Sequence, residues 1–236
     1  MGIKAVLFDL DGTLLPMDQS VFTKAYFGGL AKRLAPRGYE PQKLIDSIWQ
    51  GSAAMIRNNG EKTNEEVFWD EFSEIYGNSV RDDEPYFEAY YIEDFDNSKD
   101  SCGYNPKAVK AVKDIKSMGL RTALATNPIF PSIATEKRIV WAGLEVSDFE
   151  LYTTYENSCY CKPNPKYYKD ILKRMEIEPH DALMVGNDVN EDMIAESLGM
   201  KVFLLTDNLI NKENKDISKF PNGSFDDLLE YVKTIV

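Results

Sequence analysis

The stretch Ile3-Lys4-Ala5-Val6-Leu7-Phe8-Asp9-Leu10-Asp11-Gly12-Thr13-Leu14-Leu15 constrains this chain more than any other. Its apolar run, β-branched in part and ended by an Asp-Gly turn signal, reads as a buried strand. In an extended chain alternate side chains share a face. Asp9 and Asp11 are therefore expected on one side at the strand's end, with Leu10 turned away. Two carboxylates that close repel unless a cation lies between them or one holds a proton. The pair can serve as a Mg²⁺ site, as a nucleophile with an acid/base partner, or as both. A strand ending in an ordinary Asp-Gly turn is the plainer alternative.

The 236 residues suffice for one good core and a subdomain. Contents of 43% hydrophobic and 28% charged residues are those of a globular protein. A net charge of −12 argues against nucleic acid or an anionic membrane as partner, since both need a basic footprint. A phosphorylated ligand stays open, because a metal ion can reverse the local sign. The Met1–Lys4 stretch lacks the basic region and apolar core of a signal peptide, and Val6 stands where myristoylation needs Ser or Thr. No run approaches the roughly 18 apolar residues of a membrane span. The expected location is cytoplasmic. Cys102, Cys159 and Cys161 fit reduced thiols rather than a disulfide framework, and Cys159-Tyr160-Cys161 has the wrong spacing for zinc. His180, the only histidine, lies in a loop beside Pro179, which argues against a His-dependent triad.

After Leu15 the character changes. Asp18 reads as an N-cap, followed by Val21, Phe22, Ala25, Tyr26 and Leu30 at helical spacing. Pro41 suits a first helical residue, and Leu44, Ile48, Trp49 and Met55 continue a helical face. Asn64 is expected to cap a third helix, and a fourth lies near Glu84–Phe95. The aromatics of this all-helical stretch are expected in its core. From Asn105 onward helices alternate with short apolar strands at Arg121–Thr126, Glu150–Thr154, Ala182–Val185 and Lys201–Thr206, with a helix expected over Glu191–Leu198. Such alternation implies right-handed βαβ units, hence a parallel α/β sheet flanked by helices, with ligands beyond the strands' carboxyl ends. Asp9/Asp11, Thr126/Asn127 and Asp188 all fall at strand ends and should converge at one edge.

Four polar clusters taken together resemble the haloacid dehalogenase superfamily. They are Asp9-Leu10-Asp11-Gly12-Thr13, Thr126 after an apolar strand, Lys162 in Lys-Pro-Asn-Pro, and Gly186-Asn187-Asp188 followed by Asp192. The resemblance implies a Rossmann-like core of residues 1–15 and 101–236, with residues 16–100 as an inserted helical cap. It also implies a Mg²⁺-dependent phosphatase acting on a small phosphomonoester through an aspartyl-phosphate. Asp9 would be the nucleophile, and Asp11 would protonate the leaving oxygen and then deprotonate water. Thr126, Asn127 and Lys162 would bind the phosphate. Mg²⁺ would be held by Asp9, Asp188 and the backbone carbonyl of Asp11.

The chain departs from the commonest pattern at the fourth cluster, where Gly-Asn-Asp replaces Gly-Asp. One alignment puts Asp188 on the metal, the other Asn187. A carboxylate neutralises Mg²⁺ better than an amide, which favours Asp188 and leaves Asn187 and Asp192 to orient a bound water or Lys162. Haloacid dehalogenases proper lack the second Asp of the first cluster, so Asp11 argues against that activity. A phosphosugar mutase would need a cap that holds a bisphosphate, and residues 18–100 show no basic cluster. A non-catalytic binding protein would have no need of the intact set. Neither the substrate nor the oligomeric state is legible.

Overall fold

The structure, a computed structural model, describes residues 2–236; Met1, the first residue of the expected core segment, lies outside the described residues. Strand β1 (Ala5–Phe8) pairs in parallel with β2 (Arg121–Leu124) on one side and β4 (Ala182–Gly186) on the other. The sheet runs β3-β2-β1-β4-β5-β6, with β3 at Leu151–Tyr152, β5 at Lys201–Leu205 and β6 at Asn222–Gly223, every pairing parallel. The expected α/β architecture is present, with β1 at its centre.

Period-2 alternation divides the core. Ala5 and Leu7 face α7 (Pro165–Met175), while Val6 and Phe8 face α5 (Pro106–Ser117) and α8 (Phe225–Ile235). All four strand residues are fully buried. Burying Leu7 and Phe8 contributes about 1.5–3 kcal/mol each before entropy is set against it.

Two strands are shorter than the sequence suggests. β2 stops at Leu124 rather than Thr126, because the Thr126 carbonyl turns to side chains: it accepts from Thr153 Oγ1 at 2.6 Å and from the Tyr167 hydroxyl at 2.8 Å. β3 keeps two residues of the five expected. Strand β6 carries an Asn-Gly pair that reads as a turn, and only its pairing with Leu204 and Leu205 makes it extended.

Between β1 and α5 lie α1 (Gln19–Leu34), α2 (Pro41–Ile56), α3 (Asn64–Tyr76) and α4 (Glu84–Ala89), without a strand. Asp18 caps α1 by accepting from the backbone of Ser20 and Val21 at 2.8 and 3.1 Å, and Pro41 opens α2 as expected. The third cap is Thr63, not Asn64. Thr63 Oγ1 accepts from Glu66 N at 3.2 Å while the Glu66 carboxylate accepts from Thr63 N at 2.8 Å, a reciprocal capping box. Asn64 is instead fully buried, donating from Nδ2 to the Pro128 carbonyl at 3.1 Å and so pinning α3 to the loop after β2. After α4, one wide turn (Tyr90–Asp94) and one tight one (Phe95–Ser101) return the chain to the sheet. Gly29 of α1 is a packing residue: a Cβ there would lie 2.9 Å from the Tyr90 hydroxyl, which donates to the Tyr26 carbonyl at 3.0 Å. Among the described residues no helix is long and apolar enough to cross a membrane.

Candidate active site

The parallel register brings the carboxyl ends of β1, β2 and β4 side by side, so the segments after Phe8, Leu124 and Gly186 meet. Asp9, Asp11, Thr126, Asn127, Asp188 and Glu191 line one cavity of about 670 Å³ roofed by the inserted helices. The convergence expected from the strand ends is therefore present.

Asp9 is 7% exposed, and each of its oxygens has a donor. Oδ1 accepts from Lys162 Nζ at 2.9 Å, and Oδ2 accepts from Thr13 Oγ1 at 2.8 Å. Gly12 makes this possible: its φ of +84° is in the left-handed region, and a Cβ there would lie 2.5 Å from Asn187 Nδ2.

Lys162 is buried just ahead of α7, whose start is fixed by Asn164 as N-cap. Its ammonium bridges Asp9 and Asp192, the latter at 2.6 Å. Burial disfavours that charge, but Asp192 and Asp9 outweigh it and hold the pKa well above the ordinary lysine value. Asp192 is also buried, and its second oxygen accepts from Asp188 N at 2.9 Å. A rigid chain thus runs from Asp9 through Lys162 and Asp192 to the backbone of the fourth cluster. Gly186 is required beside it, since a Cβ would overlap the Asp192 carboxylate, which has no free direction to move. Gly186→Ala should therefore cost about 1–3 kcal/mol, read as a lowered denaturant midpoint; an unchanged midpoint would mean that Asp192 is free to swing.

Asp11 is placed differently from the simple strand-end reading. One of its oxygens, Oδ2, is paired with Arg138 of α6 (Ser132–Trp141), whose side chain is completely buried. The guanidinium also donates to the Ala134 carbonyl at 3.2 Å and to Thr135 Oγ1 at 3.3 Å, and lies 4.4 Å from the Phe130 ring centroid. Burial pushes the Asp11 carboxyl above its ordinary range, Arg138 pulls it down, and Asp9 adds to the rise. The raised proton affinity expected from crowding is present, but its largest cause is burial rather than the neighbouring carboxylate. Asp11 Oδ1 is buried with no hydrogen-bond partner among the described residues. Sequence reasoning passed over Arg138. Its one trace is a charged residue centred on a helical face of small and apolar neighbours, Ala134, Thr135, Trp141 and Ala142.

Asn127 Nδ2 donates to Glu191 Oε2 at 3.1 Å, and its Oδ1 accepts from Lys162 N at 3.2 Å. Glu191 was also unanticipated. Its pKa is raised by burial, lowered by Lys162, and raised again by Asp188 and Asp9, which marks it as part of the same charge cluster. The helix expected over Glu191–Leu198 begins only at Met193, as a tight 3₁₀ turn. Asp188 Oδ1 accepts from both Asn190 N and Glu191 N, at 2.7 and 2.9 Å, and this turn displaces the helix start.

Both polar atoms of the Asn187 side chain are engaged. Its Oδ1 accepts from Thr13 at 3.0 Å and its Nδ2 donates to the Asn208 carbonyl at 2.7 Å. Asp188 Oδ2 accepts no hydrogen bond among the described residues, and Asp188 lines the cavity. The Asp11 carbonyl likewise accepts no backbone hydrogen bond. Two carboxylates and one free carbonyl are hard oxygen donors, and they fit a Mg²⁺ ion that keeps several waters. Among the described residues no cluster of three or more His, Cys, Asp or Glu side chains is placed to hold a metal, which is unlike a dedicated protein cage.

The roof corrects another expectation. The aromatics of residues 16–100 are not only core: Phe27, Trp49, Phe68, Trp69, Phe87 and Tyr91 also line the cavity.

The haloacid dehalogenase-like hydrolase family matches residues 3–208. The chain is 25% identical over 224 residues to a glyceraldehyde 3-phosphate phosphatase of Methanothermobacter thermautotrophicus, covering 92% of each. It is 25% identical over 203 residues to a phosphoglycolate phosphatase of Nitrosospira multiformis, covering 86% of this chain and 83% of that one. Among solved structures, a 2-haloacid dehalogenase of Pseudomonas syringae pv. Tomato superposes with a TM-score of 0.64 at 17% identity, over 99% of this chain and all of the other, which is a likeness of fold.

Proposed function

Because the chain belongs to the haloacid dehalogenase-like hydrolases, we propose that it is a Mg²⁺-dependent phosphatase that cleaves a small phosphomonoester through an aspartyl-phosphate on Asp9. The observation that carries this reading is Asp9 itself, a nearly buried carboxylate at the tip of the central strand, held between Lys162 and Thr13 beside the cavity. A dehalogenase has no use for an acid next to its nucleophile, and Asp11 is such an acid. The core is residues 1–15 and 101–236, and residues 16–100 close over it as the cap.

The residues divide the work as follows. An Asp9 oxygen attacks phosphorus, the bond from phosphorus to the ester oxygen breaks, and Asp11 gives that oxygen its proton. Asp11, now a carboxylate, takes a proton from the water that attacks the phosphoryl group in the second step. Phosphate leaves and Asp9 is regenerated. Lys162, locked in place by Asp192, keeps its positive charge beside Asp9, so charge accumulating on the phosphoryl oxygens meets a cation that needs no reorganisation. Thr126 supplies a hydroxyl at the adjacent strand end, and Asn127 the amide N–H that Glu191 does not take. Asp9, Asp188 and the Asp11 carbonyl would hold Mg²⁺, which supplies Lewis-acid stabilisation of phosphoryl charge. Lying within the roofed cavity, the site would exclude bulk water from the first step.

Hydrolysis of p-nitrophenyl phosphate with Mg²⁺, abolished by a chelator and restored by added Mg²⁺, is the expected result. Activity that is absent with Mg²⁺ present, or indifferent to the chelator, would sink the reading. The same assay separates the two candidates of the fourth cluster. Asp188→Asn should raise the Mg²⁺ concentration for half-activity by at least about tenfold, since it removes a charged oxygen donor. Asn187→Ala should act mainly on stability, through the lost bonds to Thr13 and Asn208.

A further inference from the structure

The cavity above the nucleophile differs sharply between floor and roof. The floor is polar. The roof is built from α1 to α4 and the wide turn after them, and presents the rings of Phe27, Trp49, Phe68, Trp69, Phe87 and Tyr91. Trp49 packs edge-on to Phe27 at 5.4 Å, and Trp69 edge-on to Phe87 at 5.3 Å, so the rings form continuous apolar walls. At about 670 Å³ the space far exceeds that of a phosphate with a two- or three-carbon tail.

The charge on these walls has one sign. Glu65, Glu84, Glu88 and Glu156 line the cavity. Lys212 is the only basic residue in the lining among the described residues, and it is an exposed residue on the sheet side. Arg81 pairs with Glu84 at 2.7 Å but is not in the lining. Glu156 is spent on the backbone N–H of Ser132, at 2.8 Å. Burial first, then the charges of Glu156 and Glu84, pushes the Glu65 carboxyl above its ordinary range.

We infer that the substrate is the phosphate monoester of a bulky apolar or aromatic alcohol that carries no second negative charge. The inference rests on the phosphatase reading and gives its substrate class. The aromatic walls reward an apolar group by removing it from water and stacking on it. A second anion would have to be desolvated against glutamates with no cation from the roof to receive it, so the same walls select against it. By this criterion the substrates named for the two similar phosphatases are poor ones here. Phosphoglycolate carries a carboxylate, and glyceraldehyde 3-phosphate is small and polar.

The test is phosphate release, with Mg²⁺, from 2-phenylethyl phosphate, glyceraldehyde 3-phosphate and phosphoglycolate. All three are esters of primary alcohols, so intrinsic leaving-group reactivity is similar and the walls dominate the comparison. Values of kcat/KM should fall in that order. 2-Phenylethyl phosphate should exceed phosphoglycolate by about 100-fold, the size of an unpaired like-charge penalty. Trp49→Ala should narrow that ratio by about tenfold, mainly through KM. Glu65→Gln should narrow it from the other side by raising phosphoglycolate turnover. Phosphoglycolate turned over as well as 2-phenylethyl phosphate, by an enzyme active on p-nitrophenyl phosphate, would overturn the substrate class and leave the phosphatase reading standing. Release from none of the esters, p-nitrophenyl phosphate included, would overturn both.

Discussion

Asp9→Asn should reduce phosphate release by on the order of a thousandfold or more while the folded protein survives. The size follows from what is lost: an amide is not a nucleophile for phosphorus, and losing a covalent nucleophile costs factors of this order or larger. Survival follows from the surroundings. The amide oxygen can still accept from Thr13, and Lys162 keeps Asp192 at 2.6 Å, so no buried cation is left unpaired. The amide nitrogen facing Lys162 is the one new conflict, a donor against a donor. Stopped assays at saturating substrate, with a thermal midpoint measured alongside, make the check. Activity within tenfold of the parent at an unchanged midpoint would remove Asp9 from the role of nucleophile.

Arg138→Met is expected to have the largest effect on stability. The side chain is completely buried, and breaking a buried ion pair from one side costs about 3–5 kcal/mol, because the partner's charge is left without compensation. Asp11 softens this. It retains 23% exposure and can neutralise itself by taking a proton, so about 2–4 kcal/mol is the expected loss. For a chain of this size that lowers Tm by roughly 5–15 °C. The lost stacking on Phe130 and the bonds to Ala134 and Thr135 act in the same direction, and methionine fills only part of the volume. An Asp11→Asn background separates the charge from the packing. If the ion pair carries the cost, Arg138→Met should be at least 1 kcal/mol (about) cheaper there, a coupling within the range for contacting charges. A Tm equal to the parent's in the single variant would mean that Arg138 is bystander packing.

Gly186→Ala lies next in size and acts through the same site. Each of these variants probes a buried polar group held by its partners, where one displaced member disturbs the others.

The helix starts at Asp18 and Pro41 were legible because caps and prolines act over two or three residues. The Asn64 cap was misplaced by one residue for an equally local reason. Thr63 and Asn64 are both good caps, and the choice was made by Glu66 closing a capping box and by a buried partner, Pro128, 64 positions away. The strand β6 was illegible, because an Asn-Gly pair becomes extended only when a neighbouring strand offers its edge.

The sequence alone determined the parallel α/β core with its helical insertion, since period-2 and helical patterns and short-range caps are properties of neighbours in the chain. It also determined which residues stand at strand ends, and so which polar groups gather at one edge. Tertiary structure decided what each group touches there. It put Arg138 on Asp11, set Glu191 beside Asn127, tied Asn187 to Thr13 and Asn208, and left an Asp188 oxygen without a donor among the described residues. It also turned the insertion's aromatics from core alone into the walls of a cavity. The physical reason is the same in each case. Burial and pairing of a charge depend on elements distant in sequence, and no local pattern records which of them will arrive.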